Sequence, residues 1–447
     1  MLRKGLCLMI VGACVTAVAA SANADNRVSA SKKGSLLYFS KIEIKWDASG
    51  KPKQDTFLSI VNDYPSDVFV QFYFINGDAP ADGVFAGNPP VRVERDHSGW
   101  NWVDCTLHLT EDESTYMSAL TGLPAGCQPF TVLDPGTPAG RPDLDGPAGS
   151  RVLRGYAIAF AVDNAGNEIS WNHLSGAVDI VSYGDRSAWE YNAYAFQAIN
   201  QTLGAATDGT PGQLLLNGVE YDNGFDKLLL DFYAVGSQAF SSANTFVMLD
   251  TDLTLYPVSV DLRQDNNGPV TTKAKFDIWN QNEDGFSGTT RCITCWDQTL
   301  LSNYGPPNHF LIGNLQTNKG KARIDGIASD VCNPPELCCH LGVDRACFPA
   351  VDHPTIDQAC SIPASLLGVA DKILAFSGST TGRTDAGMTL VGQGEQSATV
   401  LRDIIAPPDT LTAPTAPETG AASPIGVQPA TMWEPSRLQR GTTPDKR

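Results

Sequence analysis

The chain reads as an all-β protein built from two sandwich-like, immunoglobulin-like domains, and three features predict this. Apolar residues come in short runs, several with strict period-two alternation. Asn, Asp, Gly and Pro break those runs at short intervals, supplying the backbone geometry of turns. No 3.6-residue period persists long enough to make the crossover helices of a βαβ fold.

Residues 25–33 are polar and read as a flexible arm, after which a first β-sandwich domain is expected over 34–205. Ser35–Ser40 and Ile42–Trp46 form two short strands, the second alternating cleanly. Thr56–Val61 and Val68–Ile75 follow, joined by Asn62–Asp67, whose Asn, Asp and Pro suit a turn. Along Val68–Ile75, one face carries Val68, Val70, Phe72 and Phe74, and the other carries Phe69, Gln71, Tyr73 and Ile75. Both faces are largely apolar, which places this strand centrally and covers it on both sides. Gly99–Leu109 and Gly155–Val162 are further strands, the latter turning through Asp163–Asn167 to pair with Glu168–Trp171. Ser114–Leu120, behind an acidic start, is the one short helix expected. Pro129–Pro147 is dense in Pro and Gly and reads as a surface loop. Ala177–Ser182 and Trp189–Ile199 complete this half.

A boundary is expected near Ala205–Pro211, followed by a second β-rich domain over 212–405. Its strands are Leu228–Val235, Phe246–Leu249, Leu255–Asp261, Ala274–Trp279, Phe310–Asn314, Ala322–Ile327 and Ile373–Phe376. Residues 406–447 are rich in Pro, Thr and Ala, cannot bury a core, and are expected to be disordered.

Residues 1–24 carry the marks of a secretory signal peptide: Arg3 and Lys4, an apolar run from Leu6 to Ala20, and the small-residue site Ala22-Asn23-Ala24. Val11-Gly12-Ala13-Cys14 resembles a lipobox, which would leave an acylated Cys14. The apolar run continues well past that cysteine, so soluble export to the periplasm or exterior is the expectation over a lipid anchor. No later segment has the length of apolar sequence that a membrane span requires. The net charge is −18 over 447 residues, and loss of the leader removes two further cations. Such acidity argues against nucleic acid and anionic lipid as partners, because both need Lys and Arg to neutralise phosphate.

Asp55–Asn62, Arg154–Asp163 continuing to His173–Gly176, Tyr191–Gln197, and Phe276–Asn280 through Arg291–Trp296 together resemble a group of exported bacterial proteins of unassigned function. The resemblance covers about half of the mature chain. It implies an extracellular β-sandwich and transfers no active site.

Beyond the leader, nine cysteines remain. In an exported chain they form a disulfide framework. Cys105 and Cys127 stand alone in the first half and are expected to pair. Cys292, Cys295, Cys332, Cys338, Cys339, Cys347 and Cys360 form a second set around a loop-rich insertion, and their odd number leaves one thiol over. Cys292-Ile-Thr-Cys295 also matches a thiol oxidoreductase motif or half a zinc site. The redox motif needs a βαβ context, and export favours oxidation over metal, so neither reading displaces the disulfide set and no metal or other cofactor is expected. Asn280–Gly285 copies the start of a calcium loop, but its twelfth position is Arg291 and not the bidentate Glu, so a polar turn is expected there. Asp143–Gly146 and Asp265–Gly268 read as turns in the same way.

No nucleophile elbow, zinc-binding His-Glu-x-x-His or phosphate-binding Gly-rich loop is present. The six histidines lack metal spacing, and no catalytic residue is assigned. Trp100 and Trp102 share one strand face, and Trp189 and Tyr191 share another; these four are the candidate ligand-binding residues, although core filling is the favoured role because long aromatic side chains dominate sandwich cores. The expected function is that of a non-catalytic, structural or adhesive protein of the cell exterior, meeting other surface proteins or glycans. A carbohydrate-binding module is the alternative. An exported hydrolase using a carboxylate pair from Glu220, Asp222, Asp226 and Asp231 is the third reading.

Overall fold

A computed structural model describes residues 33–78, 84–85, 91–92, 102–127, 141–143, 146–200, 202–210, 212–242, 245–258, 261–262, 271–328, 332, 363–378 and 382–393. The leader, the arm up to residue 32 and the tail 406–447 lie outside the described residues.

The first half contributes β1 Leu36–Trp46, β2 Pro52–Asn62, β3 Val68–Asn76, β4 Val84–Phe85, β5 Val91–Arg92, β6 Trp102–Leu109, β7 Ser114–Ser118, β8 Arg141–Pro142, β9 Arg151–Val162, β10 Leu174–Ser182, β11 Ser187–Asn192 and β12 Tyr194–Phe196. The second half contributes β13 Lys227–Tyr233, β14 Gln238–Ser242, β15 Thr245–Pro257, β16 Thr271–Asn280, β17 Gly285–Thr294, β18 Asp297–Leu300, β19 Lys319–Ile327, β20 Leu366–Gly378, β21 Gly382–Thr389 and β22 Val391–Gln393, with one turn of helix, α1 Ile312–Leu315. The fold is therefore all-β, as its alternation predicts.

The first half forms a ten-stranded sheet in the order β11-β10-β2-β1-β9-β3-β6, with β12 on β1, β7 on β2 and β8 on β9, and a separate β4-β5 ribbon. Strands β1 and β2 pair only at Lys45↔Gln54 and Trp46↔Pro52. Beyond that corner the sheet opens into two layers around a core that includes Phe39, Ile44, Leu58, Phe72, Met117 and Val178. The second half forms two antiparallel sheets, β17-β16-β19-β13-β22 and β14-β15-β20-β21 with β18 on β15. No ladder joins the named strands of the two halves. A second hydrophobic cluster nevertheless runs through both, from Tyr38, Tyr156 and Phe196 to Tyr256, Phe276 and Leu367. Tyr38, Tyr156 and Tyr256 stack with centroids 4.4–5.5 Å apart, and across the same boundary Tyr194 Oη lies 2.6 Å from the carbonyl oxygens of both Gly368 and Leu390, which share its one proton.

Strand β3 sits between β9 and β6. Its Val70, Phe72 and Phe74 enter one core, while Tyr73 and Ile75 enter the other. The two apolar faces read from its sequence thus correspond to two buried layers.

Several local expectations change. Ser35–Ser40 and Ile42–Trp46 are a single strand, β1, interrupted by a β-bulge: three steps from Phe39 to Ile42 face two from Ala157 to Gly155. The extra residue flips the side-chain parity, which makes one strand read as two. Gly155 is required opposite the bulge, since a Cβ there would lie 2.0 Å from the Ile75 carbonyl oxygen. Ser114–Leu120 is not a helix: β7 pairs with β2, burying Met117 while Tyr116 is exposed, a period of two. Glu168–Trp171 makes isolated bridges to Val162 and Ala206 rather than a strand. Trp189–Ile199 divides into β11 and β12, Phe246–Leu249 and the start of Leu255–Asp261 merge in β15, and Phe310–Asn314 leads into α1.

Candidate functional site

The candidate site is the outer face of the sheet containing β13, β16 and β19. All three strands alternate. Leu228, Leu230, Phe232, Ala274, Phe276, Ile278, Ala322 and Ile324 point inward. The intervening positions carry Lys227, Lys273, Lys275, Lys319, Lys321 and Arg323 against Asp231, Asp277 and Asp325. Cations outnumber anions two to one on this face of a protein whose overall charge is −18, so it is a patch of inverted local sign.

Strand register sets the site's geometry. Lys321 lies between Trp279 on β16 and Asp231 on β13, and the neighbouring row places Lys319 opposite Tyr233. Asp231, Trp279, Lys319 and Lys321, with Asn280, Gln281, Glu283 and Gly320, line an open cleft of about 500 Å³. Gly320 lies at an inward position under the cleft, where a Cβ would come within 2.6 Å of the buried Phe232 ring. Arg323 sits 5.5 Å from the Trp279 ring centroid and donates to Asp277 at 2.8 Å. Burial would raise the Asp277 carboxyl, but hydrogen bonds and attraction from Arg323 and Lys275 outweigh it and hold the group below its usual range. Lys372 approaches Asp231 at 3.7 Å, and burial pulls its ammonium below the usual lysine value. Among the described residues, neither Lys319 nor Lys321 has a carboxylate within ion-pair distance, and the Lys319 ammonium instead lies 5.5 Å from the Tyr233 ring centroid. The turn Asn280–Gly285 at the cleft rim is held by Asn280 Oδ1, which accepts from the N–H groups of Asn282 and Asp284 at 2.9 and 3.0 Å.

Of the residues singled out from sequence, Asp231 lines the cleft, whereas Trp189 and Tyr191 fall elsewhere. Trp189 and Tyr191 are core residues, only 8% and 4% exposed, and neither can present a ring face to a ligand. Their two-residue spacing on β11 directs both inward, where Tyr191 Oη donates to the Lys41 carbonyl oxygen at 2.5 Å and accepts from the Lys41 N–H at 2.8 Å. Both therefore brace the β1 bulge. Trp100 and the Trp102 side chain lie outside the described residues. Of the carboxylates weighed for hydrolysis, Glu220 and Asp222 are buried and Asp226 is exposed; only Asp231 lines the cleft. Trp279, Lys319 and Lys321 were not singled out. Their signal was the alternation along Lys273–Trp279 and Lys319–Arg323, and only strand order makes those two patterns adjacent.

Cys105 pairs with Cys127 as expected, and Cys292 pairs with Cys332. Cys295 is buried and belongs to neither bridge. The pairing of Cys292 outside its own motif removes the Cys292-x-x-Cys295 redox and zinc readings. Cys338, Cys339, Cys347 and Cys360 lie outside the described residues. Among the described residues, no cluster of His, Cys, Asp or Glu has the arrangement of a metal site, and no helix is long and apolar enough to cross a membrane.

A second constellation is buried where β1 meets β15 and β18. The β1 bulge turns Ser40 and Lys41 toward the second half, where Ser40 Oγ and Tyr256 Oη lie 2.8 Å apart. Lys41 Nζ donates to Asp252 Oδ2 at 2.8 Å with side-chain exposures of 3% and 13%. Gln298 Nε2 bridges Asp252 Oδ2 at 2.6 Å and Glu43 Oε2 at 3.0 Å. Asp371 is registered directly opposite Asp252. Burial works to lower the Lys41 ammonium, but attraction from Asp252, Glu43 and Asp371 outweighs it and raises the group above the usual lysine value.

No protein-family model matches this chain, and no curated protein is significantly similar to it.

Proposed function

We propose that the protein is exported and acts as an adhesive, structural component of the cell exterior, binding through the cleft on the outer β13/β16/β19 face. The leader-like residues 1–24 and two disulfides support export. The observation that carries the binding role is the cleft itself: a half-buried indole beside two lysines with no carboxylate partner, on a cationic face of an acidic molecule. A sheet face backed by a continuous core is a rigid platform for such contacts. The carbohydrate-binding reading is favoured by one feature, the Trp279 ring beside the polar side chains of Gln281 and Glu283, a combination suited to a sugar's apolar face and hydroxyls.

The test is binding of the purified protein to isolated cell envelopes and to a glycan array. Trp279→Ala and Lys321→Glu are each expected to weaken binding at least tenfold, equivalent to about 1.4 kcal/mol, without lowering the melting temperature. Competition by a soluble polysaccharide would select the glycan reading. Unchanged binding by both variants would remove the cleft from the function.

A further inference from the structure

The buried cluster around Lys41 combines an amine, a carboxyl in contact with it, and further carboxylates facing the amine, all away from water. We propose that Lys41 and Asp252 become joined by an intramolecular isopeptide bond, formed once per molecule after folding, which covalently ties β1 to β15.

The contact geometry is that of reactants already held together. Lys41 Nζ lies 2.8 Å from Asp252 Oδ2, and the two residues are 211 positions apart in the chain. Both are held from outside the pair: the Lys41 backbone is clamped on both sides by Tyr191 Oη, and its ammonium lies 5.4 Å from the Trp189 ring centroid. Asp252 is fixed by β15 pairing with both β18 and β20. Groups fixed at contact distance react with effective molarities on the order of 10⁵ M or more. The Asp252 carboxyl is unevenly supported: Oδ2 accepts from Lys41 and from Gln298 Nε2 at 2.6 Å, whereas Oδ1 is buried with no hydrogen-bond partner. Donation by Gln298 draws electron density from the carboxyl carbon as an amine attacks it.

The reaction balances without an added reagent. A proton passes from Nζ to the Asp252 carboxyl within their hydrogen bond, and the Nζ lone pair attacks the carboxyl carbon. A C–N bond forms, one C–O bond breaks, and that oxygen leaves as water with two of the three ammonium protons, the third remaining on the amide. No atom changes oxidation state. Asp371, registered directly opposite Asp252, is the carboxylate placed to carry the proton from Nζ to the departing oxygen, while Glu43 holds Gln298 against the pair. Driving force comes from burial, because two charges held out of water are replaced by a neutral amide and the released water escapes to solvent. The solvated pairs Lys275–Asp277 and Lys227–Asp325, whose lysines are 39% and 36% exposed, lack that driving force. The inference does not depend on the adhesive reading.

Peptide mapping and intact mass of the reduced, alkylated full-length mature protein test it. The expected mass is one water below that of the sequence. A Lys-specific protease should leave the bond after Lys41 uncut and release a branched peptide containing residues 41 and 252. Lys41→Met should restore the full sequence mass. If that variant fails to fold, the wild-type branched peptide alone decides. Full sequence mass with linear peptides, or a water loss mapped to any other pair, overturns the proposal.

Discussion

Glu220 shows how far a single side chain can depart from its sequence role. It is 1% exposed and accepts hydrogen bonds from the Leu215 N–H and the Thr207 hydroxyl. Burial, reinforced by Glu168 and Asp261, outweighs those bonds and pushes its carboxyl up to about 7. Between the ordinary glutamate value and pH 7 the folded state keeps a proton that the unfolded chain releases, so this residue makes stability fall as pH rises through that window. Glu220→Gln should flatten the decline and raise stability at pH 8 by on the order of 2 kcal/mol, read from denaturant midpoints measured at pH 5 and pH 8. An unchanged slope would mean that Glu220 ionises normally in the folded state. Neither this burial nor that of Trp189 and Tyr191 is visible from residue type, because carboxylates and aromatics occur on both sides of a sheet.

At the scale of elements, disulfides hold an edge strand in each half. Cys105 on β6 is bonded to Cys127, and Cys292 on β17 to Cys332. The paired replacement Cys105→Ala with Cys127→Ala is expected to cost about 3 kcal/mol in the chain-entropy account of a loop this size, measured as a lower denaturant midpoint. Protection of β6 amides should fall more than that of β9. The pairing was legible because two isolated cysteines had only each other. Strands β3, β9, β10, β13 and β19 were legible in the same way, since alternation or an unbroken apolar run survives whatever the partner. What failed were segments decided by a neighbour. Ser114–Ser118 has a helix-like start but is recruited by β2, and the β1 bulge is visible only against β9.

Across the whole molecule, the two halves are separate in pairing and joined in packing. The face of β1, β9 and β3 carrying Tyr38, Tyr73, Tyr156 and Phe160 is buried in the cluster that also contains Tyr256, Leu253 and Leu367. Residues 34–205 produced alone should therefore expose a large aromatic face and aggregate or bind a hydrophobic dye, whereas the full chain should unfold with the amides of β9 and β15 losing protection together. A monomeric 34–205 with native-like protection would contradict that coupling. The sequence by itself determined the all-β class, the double-faced burial of β3 and the Cys105–Cys127 bridge, because period and isolation are local properties. Only tertiary structure decided that Trp189 and Tyr191 face the core, that Trp279 and Lys321 share a cleft, and that Lys41 meets Asp252. Those outcomes depend on which strands lie side by side and which sheets stack, and residue spacing does not encode that order.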